Sequence, residues 1–183
     1  PLPIDVTLKI VQEIAEALEN AHANHLVHCD IKPHNILINE AGHVKVADFG
    51  IARATSSSKI TNTGTIVGSV HYFSPEQAKG HTISPKSDIY SLGVVMYEML
   101  TGKVPFTGET AVSIAIKHLQ EPPIPPHELR PDIPAIVEAI VLKAMDKNPD
   151  NRFSSTEMIK EIEQAKRKPF AKVNVPTEDP FAT

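Results

Sequence analysis

An excess of positive charge is the first thing this sequence lacks. Its 183 residues carry 18 Lys and Arg against 22 Asp and Glu, a formal balance of −4. A dedicated nucleic-acid binder needs a basic face to neutralise phosphates, so that class is excluded. Cysteine is nearly absent: Cys29 stands alone, which rules out an internal disulfide and fits a reducing compartment. No apolar run approaches the ~20 residues needed to cross a bilayer, and the first residues show no signal-peptide pattern. The expectation is a cytoplasmic globular chain of one domain or one large lobe. A composition of 41% hydrophobic and 22% charged residues suits a packed core rather than disorder. Proline, by contrast, is plentiful. Sixteen are present, six of them clustered over 122–134, where extended connections are expected rather than helix. Pro1-Leu2-Pro3 stand before a strong helical pattern without a methionine, and the chain is expected to be a segment of something longer.

That pattern runs over 5–24, where Leu8, Val11, Ile14, Ala15, Leu18 and Ala21 recur at spacings of three and four. Asp5 or Thr7 is the expected cap. Three β-prone runs follow, Leu26-Val27-His28, Ile36-Leu37-Ile38 and Val44-Lys45-Val46, the last two joined by a turn at Asn39–Gly42. From 54 to 70 the chain is polar and rich in Ser and Thr, the composition of a long functional loop. Helices are predicted again near 86–101, ending at Gly102, then near 109–120, 134–146 and 155–167. The fold class is mainly α with a small β patch. The irregular polar stretches at 28–35 and 48–76 are expected to meet at a site.

Over 28–35 the sequence reads His-Cys-Asp-Ile-Lys-Pro-His-Asn. A carboxylate at Asp30, an ammonium at Lys32 and a carboxamide at Asn35, on a turn stiffened by Pro33, can converge on a small volume. Phosphoryl transfer needs such groups: an acceptor for an attacking hydroxyl, a cation for the moving charge and an oxygen ligand for Mg²⁺. Asp48-Phe49-Gly50 follows the third β-prone run, a placement suited to a second metal contact. Each signal alone is weak. The ordered set D-x-K-P-x-N, then D-F-G with its aspartate 13 residues past Asn35, then S-P-E at 74–76 is specific.

Over roughly 4–168 this set resembles the C-terminal, catalytic lobe of eukaryotic-like protein kinases. Lys32, two residues past the aspartate, resembles the Ser/Thr branch. Ser74-Pro75-Glu76-Gln77-Ala78-Lys79-Gly80 is similar to the bacterial, receptor-type, membrane-anchored subgroup. The resemblance implies a partial kinase domain over 1–168, with the N-lobe absent, and a flexible juxtamembrane-like tail over 169–183. It implies ATP with Mg²⁺, or Mn²⁺ in its place, and protein substrates. A membrane anchor outside this chain and dimerisation of the full-length kinase are further expectations. By that likeness Asp30 would be the catalytic base and Lys32 would steady the transferred phosphate. Asn35 and Asp48 would hold the metal, and His28 would support the loop backbone. Asp88 would brace the loop through backbone N–H groups, and Glu76 would pair with Arg152. Ser69 would keep a hydroxyl near Asp30 and Lys32. Thr61, Thr63 and Thr65 resemble activation-loop phosphorylation sites.

Two departures qualify the likeness. Cys29 stands where most of the family has Arg, so activity is expected to depend weakly on loop phosphate unless Arg53 or Lys59 supplies the cation. The G-x-G-x-x-G loop and V-A-I-K lysine that cover ATP in the family are not among these residues. The fragment alone is therefore expected to be inactive. The alternative from another class is a catalytically silent, pseudokinase-like scaffold or interaction module.

Overall fold

The structure, a computed structural model, describes residues 1–49 and 68–167. Gly50, Arg53, Lys59, Thr61, Thr63, Thr65 and the tail expected over 169–183 lie outside the described residues. Helix α1 spans Ile4–Ala23 and buries the predicted stripe Leu8, Val11, Ile14, Ala15, Leu18 and Ala21. Covering each Leu, Ile or Val of that stripe is worth about 1.5–3 kcal/mol. The expected side-chain cap is not there. Pro3 occupies the cap position and its carbonyl accepts from Thr7 N–H at 2.9 Å. Asp5 lies inside the first turn, where it suits the helix dipole, and Thr7 is buried in the core.

The run Leu26-Val27-His28 is not a strand. Its backbone donors are spent elsewhere: Leu26 N–H goes to Ala21 O at 2.9 Å and His28 N–H to the Asp88 carboxylate at 2.8 Å. The turn at 30–35 therefore leads out of an irregular segment, through a 3₁₀ turn at Pro33–Asn35, into β1, Ile36–Ile38. Strand β2, Val44–Val46, pairs antiparallel with β1 in the register Ile36 to Val46, and β2 packs on α1.

Among the described residues, a helical stretch at 68–70 is followed by the helices α2 Pro75–Lys79, α3 Pro85–Thr101, α4 Ala111–Gln120, α5 Pro126–Leu129, α6 Ala135–Ala144 and α7 Ser155–Arg167. The short α2 and α5 carry too few residues for a periodic signal. At α5 this corrects the expectation of uninterrupted extended chain over 122–134, because Pro126 sits in the first turn, where its missing N–H costs nothing. Helix α3 is the axis of the molecule: every residue from Ser87 to Tyr97 is buried, with α1 and α6 against it. Gly93 permits the α6 contact, since a Cβ there would lie 2.9 Å from Ala144 Cβ and 3.0 Å from Met145 Cγ. Gly102 ends α3 at φ 76°, the left-handed geometry that favours glycine.

Candidate active site

The loop 28–35 crosses the N-terminal end of α3, and Asp88 in the first turn of that helix organises it. Asp88 is 1% exposed. Burying a carboxylate is costly unless its oxygens are satisfied. Here Oδ2 accepts from His28 N–H at 2.8 Å and Oδ1 from Cys29 N–H at 2.9 Å. His22, from the last turn of α1, places Nε2 2.8 Å from Oδ2 and Nδ1 3.3 Å from Ser155 Oγ at the start of α7. Asp88 and His22 together thus tie three helices to the loop.

His28 carries the tie forward. Its Nε2 donates to Ala47 O at 2.9 Å, which leaves Nδ1 as an acceptor for Asp30 N–H at 3.1 Å. The ring packs on Phe49, centroids 4.6 Å apart. The same imidazole therefore spaces the Asp30 loop from the Ala47–Asp48 segment. Both ends use left-handed backbone at a non-glycine residue: Cys29 has φ 68° and Asp48 φ 56°. Asp tolerates that region better than most residues, and Cys29 is held there by its neighbours.

Asp30 and Lys32 meet directly, Nζ lying 3.1 Å from Asp30 Oδ2, and Lys32 Nζ also donates to Ser69 Oγ at 2.9 Å. Asn35 is 6% exposed. Its Nδ2 donates to Asp30 O at 2.8 Å and lies 3.2 Å from Asp30 Oδ2. With both amide hydrogens committed to Asp30, the carboxamide oxygen is the atom left for another partner. The Asp48 carboxylate makes no hydrogen bond or ion pair with another described residue. A carboxamide oxygen and a carboxylate are the hard donors that Mg²⁺ accepts, and one or two protein oxygens suffice beside phosphate and water. The donor set fits such an ion. Among the described residues no group of three or more His, Cys, Asp and Glu is arranged to hold a metal. His22 and His28 spend their ring nitrogens on the contacts described above.

The segment after Ser69 is clamped to the core by Glu76 and Arg152. Arg152 is 2% exposed and grips Glu76 through two bonds, Nη1 to Oε1 at 2.7 Å and Nη2 to Oε2 at 3.0 Å. Its remaining donors reach the carbonyls of Lys86, Asp146 and Lys147. Burial alone would raise the Glu76 carboxyl. Hydrogen bonds from Arg152 and Ser87, with the guanidinium charge, outweigh it and hold the group below its ordinary value. Sequence reasoning missed two contacts. Gln77 Nε2 donates to Cys29 O at 2.8 Å, and His22 reaches Ser155. Both join segments far apart in sequence, and no local pattern carries such a signal.

A protein kinase domain family model matches residues 2–170. The chain belongs to the protein kinase family. It is 52% identical over 157 residues to the serine/threonine-protein kinase PrkC of Bacillus subtilis, covering 86% of this chain and 24% of that protein. It is 48% identical over 169 residues to a probable serine/threonine-protein kinase of Clostridium perfringens, covering 92% and 25%. With the serine/threonine-protein kinase PknB of Mycobacterium tuberculosis it shares 44% over 157 residues, covering 85% and 25%. The chain spans about a quarter of the length of these curated relatives. Its mostly helical body with a two-stranded sheet is that of a kinase C-lobe, and no described helix is long and apolar enough to cross a membrane.

Proposed function

We propose that this chain is the catalytic lobe of a bacterial Ser/Thr protein kinase, moving the γ-phosphate of ATP to a protein Ser or Thr hydroxyl once the nucleotide has a second wall. One observation carries the reading: Asp30, Lys32 and Asn35 converge within hydrogen-bond distance, with Lys32 bridging on to Ser69. In this reading Asp30 takes the proton of the substrate hydroxyl, and Lys32 faces the negative charge on the moving phosphoryl group. Asn35 and Asp48 turn their oxygens to Mg²⁺, or Mn²⁺ in its place. Bound Mg-ATP supplies the phosphoryl group and neutralises charge on its phosphates. Ser69, on the segment fixed by Glu76 and Arg152, keeps the Lys32 ammonium beside Asp30.

The partners follow from the same reading. Leu26, Leu37 and Ile38, close to the site, are each more than half exposed. That apolar surface supports a glycine-rich N-lobe seated over the hairpin, and with it the completed ATP cleft. The motif Ser74–Gly80 supports the receptor-type, membrane-anchored subgroup, with the anchor outside residues 1–183, this lobe on the cytoplasmic side, and dimerisation of the full-length kinase. Thr61, Thr63 and Thr65 remain proposed phosphorylation sites.

The test is phosphotransfer to a Ser/Thr peptide by this chain joined to the glycine-rich lobe of PrkC. Turnover is expected from the joined protein. Asp30→Asn, which removes the proton acceptor, should lower it by roughly 10²–10⁴-fold. The unjoined chain should show negligible turnover. A joined protein that folds and binds Mg-ATP without transferring phosphate would favour the silent-scaffold alternative.

A further inference from the structure

The peptide unit that joins Cys29 to Asp30 is gripped at both edges. Its N–H, that of Asp30, donates to His28 Nδ1 at 3.1 Å. Its carbonyl, that of Cys29, accepts from Gln77 Nε2 at 2.8 Å. The preceding peptide unit is held as well, through Cys29 N–H to Asp88 Oδ1. These grips matter because Cys29 sits at φ 68°. A left-handed conformation at a non-glycine residue is strained and persists only where its surroundings over-determine it. Rotation of this peptide unit would re-aim Asp30.

Gln77 is itself fixed. Its Oε1 accepts from Ser74 N–H at 3.0 Å, and its own N–H donates to Ser74 Oγ at 3.2 Å, which closes the capping box of α2. The adjacent Glu76 is locked to Arg152 and to Ser87 Oγ, the latter at 2.7 Å. The carboxamide therefore faces two ways: its oxygen completes the cap of α2, and its nitrogen holds the loop that carries Asp30. Asp88 and His28 reach that loop from α3 and from the loop itself. Gln77 reaches it from the segment that follows Ser69.

We propose that Gln77 is a positioning residue for Asp30, transmitting the placement of α2 to the catalytic loop through the Cys29 carbonyl. The proposal rests on the reading of Asp30 as the base. It assigns the coupling to a neutral amide on a backbone oxygen, independent of any charge at position 29.

The test is site-resolved hydrogen exchange on the 183-residue chain. Gln77→Glu keeps an oxygen for Ser74 N–H and removes the amide donor. Gln77→Met removes it without adding charge and serves where the first variant does not fold. Ser74→Ala loosens the cap and leaves the Gln77 amide in place. Both Gln77 variants should speed exchange at Asp30 N–H by about five- to tenfold relative to the buried α6 amide of Val141. Ser74→Ala should change it less. Unchanged exchange at Asp30 in the Gln77 variants, or equal acceleration at Asp30 and Val141, would overturn the proposal. Adding Mg-ATP to the same samples tests the function separately. A Gln77 effect without any response at Asn35 and Asp48 would support the grip and count against the proposed nucleotide site alone.

Discussion

At the scale of single residues, buried polar groups decide how this chain responds to pH. His118 is 0% exposed. Lys147 Nζ lies 3.5 Å from Tyr90 Oη, and that hydroxyl lies 2.9 Å from His118 Nδ1. Burial, helped by the Lys147 charge, pushes the imidazole down to about 3 from its ordinary 6.5. A histidine with a lowered folded pKa favours the native state fully above 6.5. That advantage is lost as the unfolded chain takes up protons between 6.5 and about 3. His118→Gln should therefore flatten the fall in unfolding free energy across this window, as read by denaturant melts at several pH values. Equal slopes in the two proteins would mean that His118 is not the titrating group. Glu76 has the same sign at lower pH. Its lowered carboxyl adds stability above its ordinary 4.5, which is lost on further acidification. Glu76→Gln should remove that acid-limb contribution while weakening the clamp on Arg152 at neutral pH.

At the scale of elements, Gly93 fixes how close α6 comes to α3. Valine there would place its Cβ 2.9 Å from Ala144 Cβ and add two methyl groups in the same gap. We expect Gly93→Val to cost about 1–3 kcal/mol or more through overpacking, measured as a lower denaturant midpoint; a midpoint at or above the original would contradict the close contact. Elements of this kind were legible to different degrees. The stripe of α1 and the span of α3 could be read because apolar periodicity and Gly102 are local signals. The cap at Pro3 could not, because the choice among Pro3, Asp5 and Thr7 depends on what α1 packs against. The lost strand at 26–28 has the same origin, since Asp88, sixty residues on from His28, claims its donor. In the candidate site, the residue types of Asp30, Lys32, Asn35 and Asp48 were visible as a spaced set. The meeting of Asp30, Lys32 and Asn35, and the reach of Gln77 to the Cys29 carbonyl, depended on tertiary contact.

At the scale of the whole molecule, the helical body serves as a rigid floor beneath one loop. Helices α1, α3 and α7 meet at the His22–Asp88–Ser155 network, and α2 is bolted to the same body through Arg152. Functional groups held on rigid elements keep their geometry when a ligand is only weakly retained. The four site residues should therefore be assembled in this chain even where ATP has a single wall and binds poorly. The most direct measurement is paramagnetic broadening of backbone amide signals by Mn²⁺ with ATP at millimolar concentration, a probe that registers brief occupancy. The amides of Asn35 and Asp48 should broaden together and well before those of α6, and Asp48→Asn should abolish the effect at both. Broadening confined to other acidic surfaces, or at only one of the two residues, would contradict a shared metal–nucleotide site.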